Sequence, residues 1–406
     1  MARPEITPKT LHLQQQGLLP QEEMLEIIKK QYQLIIGIPK ENDIHESRVP
    51  LTPEAIEGLV KQGHIVMIEK GAGLSANYTD TNFSEMGGLI VETGEVFKAD
   101  IILKIAPLSS KEISYLKENQ LVISSLHYRN HSEEYIRGLM QRRVSAISLD
   151  NIKDQNNCYP IVRSMSEISG NTAILIAAEY LSNVNSGKGV MLGGITGITP
   201  TEVIILGSGT AAESAARAAI GLGAYVKIMD SSIHNMEKLQ QNLGLRLHTS
   251  VLHPQVLKKA LISADVVIGA IHFTEMNSRF MVTEDMVATM KKGSVIVDIS
   301  IDQGGCFETS ECHDHGNPVY RKYDVIHYCV PNIPSRVART ASIALSNVIN
   351  PILHEIAASG SFTSKLKSDI GLRHGVYMYN GILTNMVIGS QLGIPSQDIN
   401  LLMAAF

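Results

Sequence analysis

Short apolar runs alternate with helix-length segments along most of this chain. A first series of runs occupies residues 34–38, 64–68, 101–105, 121–126 and 144–149. A second series follows after a gap, at residues 203–206, 225–229, 266–271, 294–301 and 325–330. Apolar strands that alternate with helices are typical of parallel sheets covered by helices on both faces. The pattern therefore predicts an α/β protein with two Rossmann-like, doubly wound domains around a cleft.

The segments outside these two series indicate how the domains are connected. A helical pattern from Ser164 to about Ser182 precedes a glycine-rich stretch at residues 187–197, which is typical of a joint between domains. Residues after 338 have the pattern of helices, with too few apolar strands for a separate sheet, so we expect them to return to the first domain. The expected division is an N-terminal extension at 1–33, a first domain at 34–160 and 339–406, and a second domain at 161–338.

Composition and charge narrow the class of protein. The 406 residues are 44% hydrophobic and 18% charged, with 32 glycines, which is typical of a globular protein of two or three domains. The net charge of −5 comes without a block of basic residues, so neither nucleic acid nor a membrane surface is an expected partner. Cysteines without a CxxC pair, and an N-terminus without the apolar core of a signal peptide, favour the cytoplasm.

A dinucleotide-binding fingerprint of the form G-x-G-x-x-A occupies residues 207–212. It follows the apolar run 203–206 directly and opens a helical segment, which is the context that this motif requires. Gly207 would make the tight turn, Gly209 would let a pyrophosphate approach the backbone, and Ala212 would keep the helix close to the strand. The alternative is a plain strand-to-helix turn.

The second strand of this unit ends in Asp230, 21 residues after Gly209. A carboxylate at this position accepts hydrogen bonds from ribose hydroxyls and repels a 2′-phosphate, so we expect NAD rather than NADP. The alternative is a surface aspartate. The residues of this unit expected to contact the cofactor are Gly207, Ser208, Gly209, Ala212 and Asp230.

Three polar residues of the first domain lie at or just past the carboxyl ends of apolar strands, where an open α/β sheet binds its ligand. Arg48 could hold a substrate carboxylate with its two-pronged guanidinium, although it could equally be solvated. Lys104 interrupts an apolar run, where burial is costly unless an anion is nearby; the alternative is a lysine that snorkels to solvent. His127 could act as a general acid or base, or be structural.

In the second domain, the apolar run at 294–301 leads into Asp302, followed by Gly304 and Gly305. Asp302 at the mouth of a strand is a candidate for proton transfer, and the alternative is an ordinary turn aspartate. Asp298 lies inside the strand, so we expect its carboxylate to accept hydrogen bonds from backbone groups.

A group of potential metal ligands lies between residues 306 and 329. Its members are Cys306, Cys312, His313, Asp314, His315, His327 and Cys329. The spacing lacks the paired C-x2-C arms of structural zinc sites, so we expect no metal. Packing of Cys306 and Cys329, with a solvated loop at 313–315, is the preferred interpretation.

Six segments together resemble the alanine dehydrogenase family, which includes the pyridine nucleotide transhydrogenase α-subunits. They are residues 37–41, 48–49, 71–73, 165–167, 207–209 and 298–306. The resemblance extends over about residues 34–390. It implies an oxidoreductase that transfers hydride from L-alanine to NAD, reversibly giving pyruvate and ammonia. It further implies a catalytic lobe interrupted by an NAD lobe, and a homohexamer.

The same resemblance assigns roles to individual residues. Arg48 and Lys104 would bind the carboxylate and the carbonyl side of the substrate. His127 and Asp302 would transfer protons. Two further residues, Ser166 and Asn332, would contact the cofactor, with Asn332 near the nicotinamide.

Two alternative functions remain open on sequence grounds. One is an NAD-binding, transhydrogenase-like subunit, although Ile301 and Asp302 stand where such subunits typically have Ala-Glu. The other is a non-catalytic NAD-binding relative, or a dehydrogenase of another small amino acid. The unusual segment 272–279 motivates this second alternative, because the family usually has a Pro-Gly-Ala-Lys type of loop there.

Overall fold

A computed structural model describes residues 33–126, 132–272 and 281–405. Three sequence-based expectations lie outside these residues: the predicted N-terminal extension except its last residue, His127, and nearly all of the unusual segment 272–279. The strands are β1 (Ile35–Ile38), β2 (Ile65–Glu69), β3 (Leu89–Val91), β4 (Ile101–Leu103), β5 (Leu121–Ser124), β6 (Ser145–Ser148), β7 (Glu202–Leu206), β8 (Tyr225–Asp230), β9 (His248–Val251), β10 (Val266–Gly269), β11 (Val295–Asp298), β12 (Val319–Lys322), β13 (Val325–Tyr328), β14 (Val376–Tyr379) and β15 (Ile382–Leu383).

The helices fall between these strands and at the C-terminal end of the described chain. They are α1 (Pro53–Lys61), α2 (Asp80–Glu85), α3 (Thr93–Val96), α4 (Ser110–Tyr115), α5 (Glu133–Gln141), α6 (Pro160–Leu181), α7 (Thr210–Gly221), α8 (Ile233–Leu243), α9 (Pro254–Ser263), α10 (Glu284–Val287), α11 (Ala338–Ala358), α12 (Phe362–Ser368), α13 (Ile370–His374), α14 (Met386–Leu392) and α15 (Ile399–Ala405). Short 3-10 helices occupy Leu74–Ala76, Leu149–Asn151, Asn183–Asn185, Ile299–Gln303 and Ile333–Val337. No helix among the described residues is long and apolar enough to span a membrane.

The first sheet has the strand order β15-β14-β6-β5-β4-β1-β2-β3. Its strands β1 to β6 are parallel, and β14 and β15 add an antiparallel hairpin at the β6 edge. The expectation of helices alone after residue 338 was therefore wrong, because the chain makes this hairpin before α14. The turn at Asn380 and Gly381 has positive φ values at both residues, as a two-residue hairpin turn requires.

The second sheet has the strand order β12-β13-β11-β10-β7-β8-β9, parallel except for β12. The two sheets with their covering helices confirm the predicted α/β class with two domains. The domain boundaries near residues 160 and 338 stay a prediction.

Both sheets are buried on both faces, which explains the continuous apolar runs. In β1, Ile36 and Ile38 belong to one core cluster while Ile35 packs against another. In β7, Val203 and Ile205 face one cluster, and Ile204 and Leu206 face the opposite one. Neighbouring side chains of a strand point to opposite faces, so each strand contributes to two cores.

The 22-residue helix α6 leads from the first sheet to the second. It begins at Pro160, four residues before the predicted start, because proline is well tolerated at the first position of a helix. Its C-terminal half packs into the core of the second sheet through Ala173, Ile174 and Ala177. Its N-terminal half faces the candidate site of the first domain, as described below.

Candidate active site

Arg48 lies in the loop after β1 and forms a two-pronged ion pair with Glu46. Its Nε and Nη2 atoms lie 2.7 and 2.5 Å from the two carboxylate oxygens of Glu46. The third nitrogen, Nη1, lies 3.2 Å from the Sδ atom of Met165 in α6. The Arg48 side chain is 10% exposed and that of Glu46 is 4% exposed. Arg48 is therefore held inside the protein, and the solvated alternative is excluded.

The charge of Arg48 is stabilised in spite of its burial. Burial by itself would lower the pKa of the guanidinium, but the neighbouring Glu46 carboxylate, with smaller contributions from Asp150 and Glu41, raises it above its ordinary value. A thioether such as that of Met165 is only a weak acceptor, so Nη1 can exchange it for a carboxylate at little cost.

Lys104 follows β4 directly and is buried, with 2% exposure of its side chain. Its Nζ atom lies 3.2 Å from Glu112, 3.6 Å from Glu41 and 3.5 Å from the carbonyl oxygen of Pro107. The alternative of a snorkelling lysine is therefore wrong: the ammonium lies in a buried cluster of two carboxylates. These contacts are long for charged hydrogen bonds, which have optimal lengths of about 2.7–2.9 Å.

Both carboxylates that contact Lys104 are fixed by backbone groups. Glu41 accepts hydrogen bonds from the amides of Ile105 and Ala106, at 2.6 and 3.3 Å. Glu112 forms the capping box at the start of α4 and accepts a 2.7 Å hydrogen bond from the amide of Ser109. The position of the Lys104 ammonium is therefore set by two anchored side chains.

Burial raises the pKa of Glu41 to about 8. Lys104 opposes this rise and Glu46 adds to it, because a second carboxylate disfavours another negative charge nearby. At neutral pH Glu41 therefore carries a proton for most of the time. The charge of Lys104 is then balanced mainly by Glu112.

The raised pKa of Glu41 predicts a loss of stability with rising pH. Between its ordinary pKa of 4.5 and about 8, the folded protein binds more protons than the unfolded chain, so stability falls across this window. Glu41→Gln removes the titration and should reduce the loss between pH 5 and pH 8 by about 1 kcal/mol or more. The test compares urea unfolding midpoints at several pH values, with Glu57→Gln at an exposed ion pair as the control. Parallel pH profiles for all three proteins would refute the prediction.

The sheet brings Arg48 and Lys104 into one region. Their strands β1 and β4 are hydrogen-bonded neighbours, and both residues follow the carboxyl ends of these strands. Glu41 interacts electrostatically with Lys104 as well as with Arg48. Just after the neighbouring strand β5, the amide of Leu126 lies 3.3 Å from Asp150, and the charge of Asp150 helps to raise the pKa of Arg48. His127 itself lies outside the described residues.

The fingerprint forms a turn that only glycine fits at its first position. Gly207 has a φ of +110°, and a Cβ atom there would lie 2.4 Å from the carbonyl oxygen of Ala270. Gly209 caps the start of α7 with a φ of −78°, and a Cβ atom on it would meet nothing within 4 Å. Ala212, in the first turn of α7, is fully buried. The space in front of Gly209 therefore fits the approach of a pyrophosphate group.

The carboxylate of Asp230 is held at the end of β8, beside this turn. One of its oxygens accepts a 2.6 Å hydrogen bond from the hydroxyl of Ser208, and the other accepts a 2.7 Å hydrogen bond from the amide of Ser232. This arrangement connects the fingerprint to the acidic residue expected at the ribose.

Helix α6 places the fingerprint close to the Arg48 region. Met165 contacts Arg48, and five positions later Gly170 packs so tightly on α7 that a Cβ atom would lie 2.1 Å from the carbonyl oxygen of Ala211. Five helical residues span about 7.5 Å. Ser166, half-buried on α6, lies within this stretch. The two regions proposed for substrate and cofactor thus meet along about one and a half turns of one helix.

Asn332, which follows β13, makes a direct link between the two regions. Its backbone has a φ of +57°, a left-handed conformation that asparagine tolerates better than most residues. Its amide nitrogen donates hydrogen bonds to the carbonyl oxygen of His45, at 2.7 Å, and to Glu46, at 3.1 Å. Asn332 therefore contacts the residue that holds Arg48.

Asp302 lies exposed in the 3-10 helix that follows β11. The buried Asp298 holds this segment, because its carboxylate accepts hydrogen bonds from the amides of Ser300 and Cys306, at 3.1 and 2.8 Å. The expected role of Asp298 as a backbone acceptor is confirmed. Burial raises its pKa to about 6.

Tyr320 contacts several of the cysteines and histidines between residues 306 and 329. Its ring stacks on His327, at 4.9 Å between centroids, and its hydroxyl lies 3.5 Å from the Sγ atom of Cys329. Cys306 and Cys329 are fully buried, and His313 is half-buried, with its ring stacked on Tyr320 at 4.7 Å between centroids. The loop is therefore less solvated than expected. Among the described residues, no group of three or more His, Cys, Asp or Glu side chains is arranged to hold a metal ion.

Sequence reasoning missed three acidic residues of this region: Glu41, Glu46 and Glu112. Glu41 contacts residues far along the chain, which no local pattern indicates. Glu46 lies only two residues before Arg48, but its second partner, Asn332, is distant in sequence. Glu112 did leave a local signal, since Ser109 followed three residues later by glutamate is the pattern of a capping box.

Two family models match the chain. Residues 37–169 match the model described as "Alanine dehydrogenase/PNT, N-terminal domain", and residues 173–386 match "Alanine dehydrogenase/PNT, C-terminal domain". An alanine dehydrogenase of Staphylococcus saprophyticus is 37% identical over 368 residues, which cover 90% of this chain and 99% of that protein. Alanine dehydrogenase 2 of Staphylococcus aureus strain Mu50 is 36% identical over 352 residues, covering 86% of this chain and 94% of that protein.

Solved structures agree with these relatives. One named L-alanine dehydrogenase superposes with a TM-score of 0.81 at 32% identity, covering 87% of this chain and 98% of that chain. A transhydrogenase from Sinorhizobium meliloti superposes with a TM-score of 0.73 at 22% identity, covering 87% and 99% of the two chains, which shows a common fold.

Proposed function

Because this chain belongs to the alanine dehydrogenase/PNT family, we propose that it catalyses the reversible, NAD-dependent oxidative deamination of L-alanine to pyruvate and ammonia. The relatives support an amino-acid dehydrogenase. One observation carries the proposal for this chain: helix α6 contacts Arg48 through Met165 and packs on the fingerprint helix at Gly170. A small carboxylic acid on Arg48 would thereby lie close to a dinucleotide on the fingerprint.

The substrate would be oriented by Arg48 and Lys104. Arg48 already uses two nitrogens for Glu46, so Nη1 is the atom that would receive the substrate carboxylate in place of the Met165 sulfur. Lys104 would turn from its long contacts with Glu41 and Glu112 towards the carbonyl side. Holding the acid at two points restricts Cα to one orientation, which lowers the entropic part of the barrier.

NAD is the cofactor that the second domain would hold. The open space at Gly209 fits a pyrophosphate at the start of α7, and the fixed carboxylate of Asp230 fits two ribose hydroxyls. Ser208, Ala212, Ser166 and Asn332 complete the proposed contacts. When bound, the nicotinamide supplies the acceptor for the hydride that leaves Cα.

Proton transfer would be carried out by His127 and Asp302. Loss of hydride from Cα and of a proton from nitrogen leaves an imine of the substrate. Water adds to this imine, and cleavage of the carbon–nitrogen bond releases ammonia and leaves pyruvate. His127 would accept and return protons in these steps, with Asp302 assisting from the second domain; such groups contribute typically 10²- to 10⁴-fold.

The resemblance also bears on the setting of the reaction. We propose a homohexamer that acts in the cytoplasm on small molecules, without a nucleic-acid or membrane partner. The boundaries proposed for the lobes are 34–160 with 339–406 for catalysis and 161–338 for NAD, with residues 1–33 as an extension.

A panel of amino acids tests the proposed function. The purified protein is incubated with NAD and each amino acid in turn, and formation of reduced nicotinamide is followed by absorbance. We expect L-alanine to give the highest kcat/KM, and pyruvate with ammonia to drive the reverse reaction. No reduction with any amino acid would refute dehydrogenase activity, whereas a higher kcat/KM for another small amino acid would refute the assignment of L-alanine.

The choice of NAD over NADP is expected to depend on Asp230. Asp230→Ser removes the negative charge facing a 2′-phosphate, and like charges in contact cost several kcal/mol. The ratio of kcat/KM for NADP to that for NAD should therefore rise about tenfold or more. Asp285→Ser, in the first turn of α10, is the control at an ordinary acidic position. An unchanged ratio in Asp230→Ser would show that Asp230 does not face the ribose.

A further inference from the structure

The carboxylate of Glu46 receives hydrogen bonds from two sides. On one side, its Oε1 accepts from the backbone amide and Nε of Arg48, at 3.0 and 2.7 Å, and its Oε2 accepts from Nη2 at 2.5 Å. On the other side, the same Oε2 accepts from Nδ2 of Asn332 at 3.1 Å. The Glu46 side chain is 4% exposed, so protein groups take the place of water around it. A single oxygen thus joins the proposed substrate residue to the proposed nicotinamide residue.

We propose that Glu46 is a positioning residue that couples the binding of the carboxylic acid substrate to the binding of the nicotinamide, by holding Arg48 and Asn332 at one carboxylate. This inference rests on the proposed function, because it takes Arg48 and Asn332 as the contacts of the two ligands. Glu46 touches neither ligand in this scheme, and it acts through its two partners.

On the substrate side, the contact with Glu46 determines which nitrogen of Arg48 is available to the substrate carboxylate. The fork of Nε and Nη2 is fully used by Glu46, and Nη1 points to Met165. A guanidinium is planar, so fixing two nitrogens fixes the direction of the third. A substrate carboxylate on Nη1 therefore requires the Glu46 contact to be in place.

On the cofactor side, the contact with Glu46 determines which side-chain atom of Asn332 is available to the nicotinamide. A side-chain amide nitrogen has two hydrogens, and those of Asn332 go to Glu46 and to the carbonyl oxygen of His45. The Oδ1 atom is then the one that can accept a hydrogen bond from the carboxamide of a nicotinamide. Without Glu46, the amide of Asn332 can rotate and lose this orientation.

The loop that carries Glu46 and Arg48 is further tied to the segment after Asn332. The amide of Ser47 donates to the hydroxyl of Ser335 at 2.6 Å, and the amide of Val49 donates to the hydroxyl of Ser342 at 2.9 Å. These two hydrogen bonds hold the loop against the segment that follows Asn332. A shift caused by one ligand is transmitted to the contact of the other, which is the physical requirement for coupling.

The test is a measurement of binding linkage. NADH is titrated by fluorescence in the absence and in the presence of saturating oxamate, an isostere of pyruvate whose amide is not reduced. Coupling between two ligand sites is typically 5- to 150-fold, so oxamate should tighten NADH binding to the wild type by about this range. In Glu46→Gln the ratio should fall to within about twofold of one, because one amide oxygen cannot serve both the Arg48 fork and Asn332.

Two further proteins make the test specific. Glu202→Gln is the matched control. Glu202 lies at the amino end of β7 and is a partly buried carboxylate paired with Lys227. This variant should keep the coupling of the wild type. Asn332→Gly removes the same link from the other side while glycine accepts the positive φ. It should also abolish the coupling, and it supplies the answer if Glu46→Gln does not fold.

The possible results separate this inference from the proposed function. Loss of coupling in Glu46→Gln and Asn332→Gly, with coupling kept in Glu202→Gln, supports the inference. Equal coupling in the wild type and in either of the first two variants overturns it, as does a wild type whose NADH affinity is insensitive to oxamate. Turnover of L-alanine is a separate measurement: a protein that couples the two ligands but does not oxidise L-alanine would refute the proposed function and leave the role of Glu46 standing.

Discussion

Replacing Arg48 by methionine is expected to lower kcat/KM for L-alanine by about 10²- to 10³-fold. Arg48 is a buried cation whose Nη1 would hold the substrate carboxylate, and removing one partner of a buried, hydrogen-bonded charge pair costs about 2–5 kcal/mol. Each 1.4 kcal/mol corresponds to a factor of ten. Initial rates over a range of L-alanine concentrations, at saturating NAD, give this ratio directly.

The same variant should be less stable, and this effect has to be separated from the effect on catalysis. Methionine leaves Glu46 buried without its cation, which costs about 3–5 kcal/mol. Combining Arg48→Met with Glu46→Gln removes the uncompensated charge, so part of the stability should return while activity stays low. Arg48→Lys keeps the charge without the fork and should fall between the wild type and Arg48→Met. A value of kcat/KM within threefold of the wild type in Arg48→Met would contradict the substrate role of Arg48.

Gly207→Ala is expected to destabilise the second domain and to abolish NAD binding. The added Cβ atom would lie 2.4 Å from a backbone oxygen of Ala270, and the φ of +110° is unfavourable for any residue with a side chain. These two effects together cost about 2 kcal/mol or more. Thermal unfolding and NADH titration measure the two consequences.

Gly209→Ala provides the matched comparison two residues later. Its φ is −78° and a Cβ atom would meet no protein atom within 4 Å, so stability should change by about 1 kcal/mol or less. The same Cβ atom would occupy space needed by the pyrophosphate, so the dissociation constant for NADH should rise about tenfold or more. Binding of NADH as tight as in the wild type would mean that the dinucleotide does not pass over Gly209.

Strands that are buried on both faces could be predicted from the sequence, and edge strands could not. The interior strands β1, β4, β5, β7 and β10 overlap the apolar runs of the sequence. In contrast, β9 at the edge of the second sheet has half-buried and exposed positions. The edge strand β3 is apolar but has only three residues, and Leu89 in it is 50% exposed. An edge strand has one neighbour and faces solvent, so its sequence need not be apolar.

Two elements of the structure differ from those that the local sequence pattern predicted. The predicted strand 294–301 stops at Asp298, because this side chain binds the amide of Ser300 and starts a 3-10 helix. The C-terminal hairpin did have a signal, since Asn380-Gly381 between two short apolar runs is typical of a tight turn. Helical segments on both sides of it concealed the two strands.

The candidate site could be predicted in part. Arg48 and Lys104 were identifiable because polar residues at the carboxyl ends of apolar strands are unusual and lie where such sheets bind ligands. Glu41 was not, because it reaches the end of β4 from 64 residues away in sequence, at the amide of Ile105. Glu46 and Glu112 lie near Arg48 and Lys104 in sequence, but a nearby acidic residue does not by itself indicate a buried ion pair. Only the folded chain shows that these cations are held by buried carboxylates, and that Asn332 contacts one of them.

The most direct test of the proposed reaction uses L-alanine labelled with deuterium at Cα. The wild-type protein is incubated with this substrate and NAD, and the reduced cofactor is isolated and analysed by mass spectrometry. If hydride passes from Cα to the nicotinamide, the reduced cofactor carries one deuterium and the product is pyruvate. Reduced cofactor without deuterium, or no reduced cofactor at all, would contradict direct hydride transfer from the amino acid.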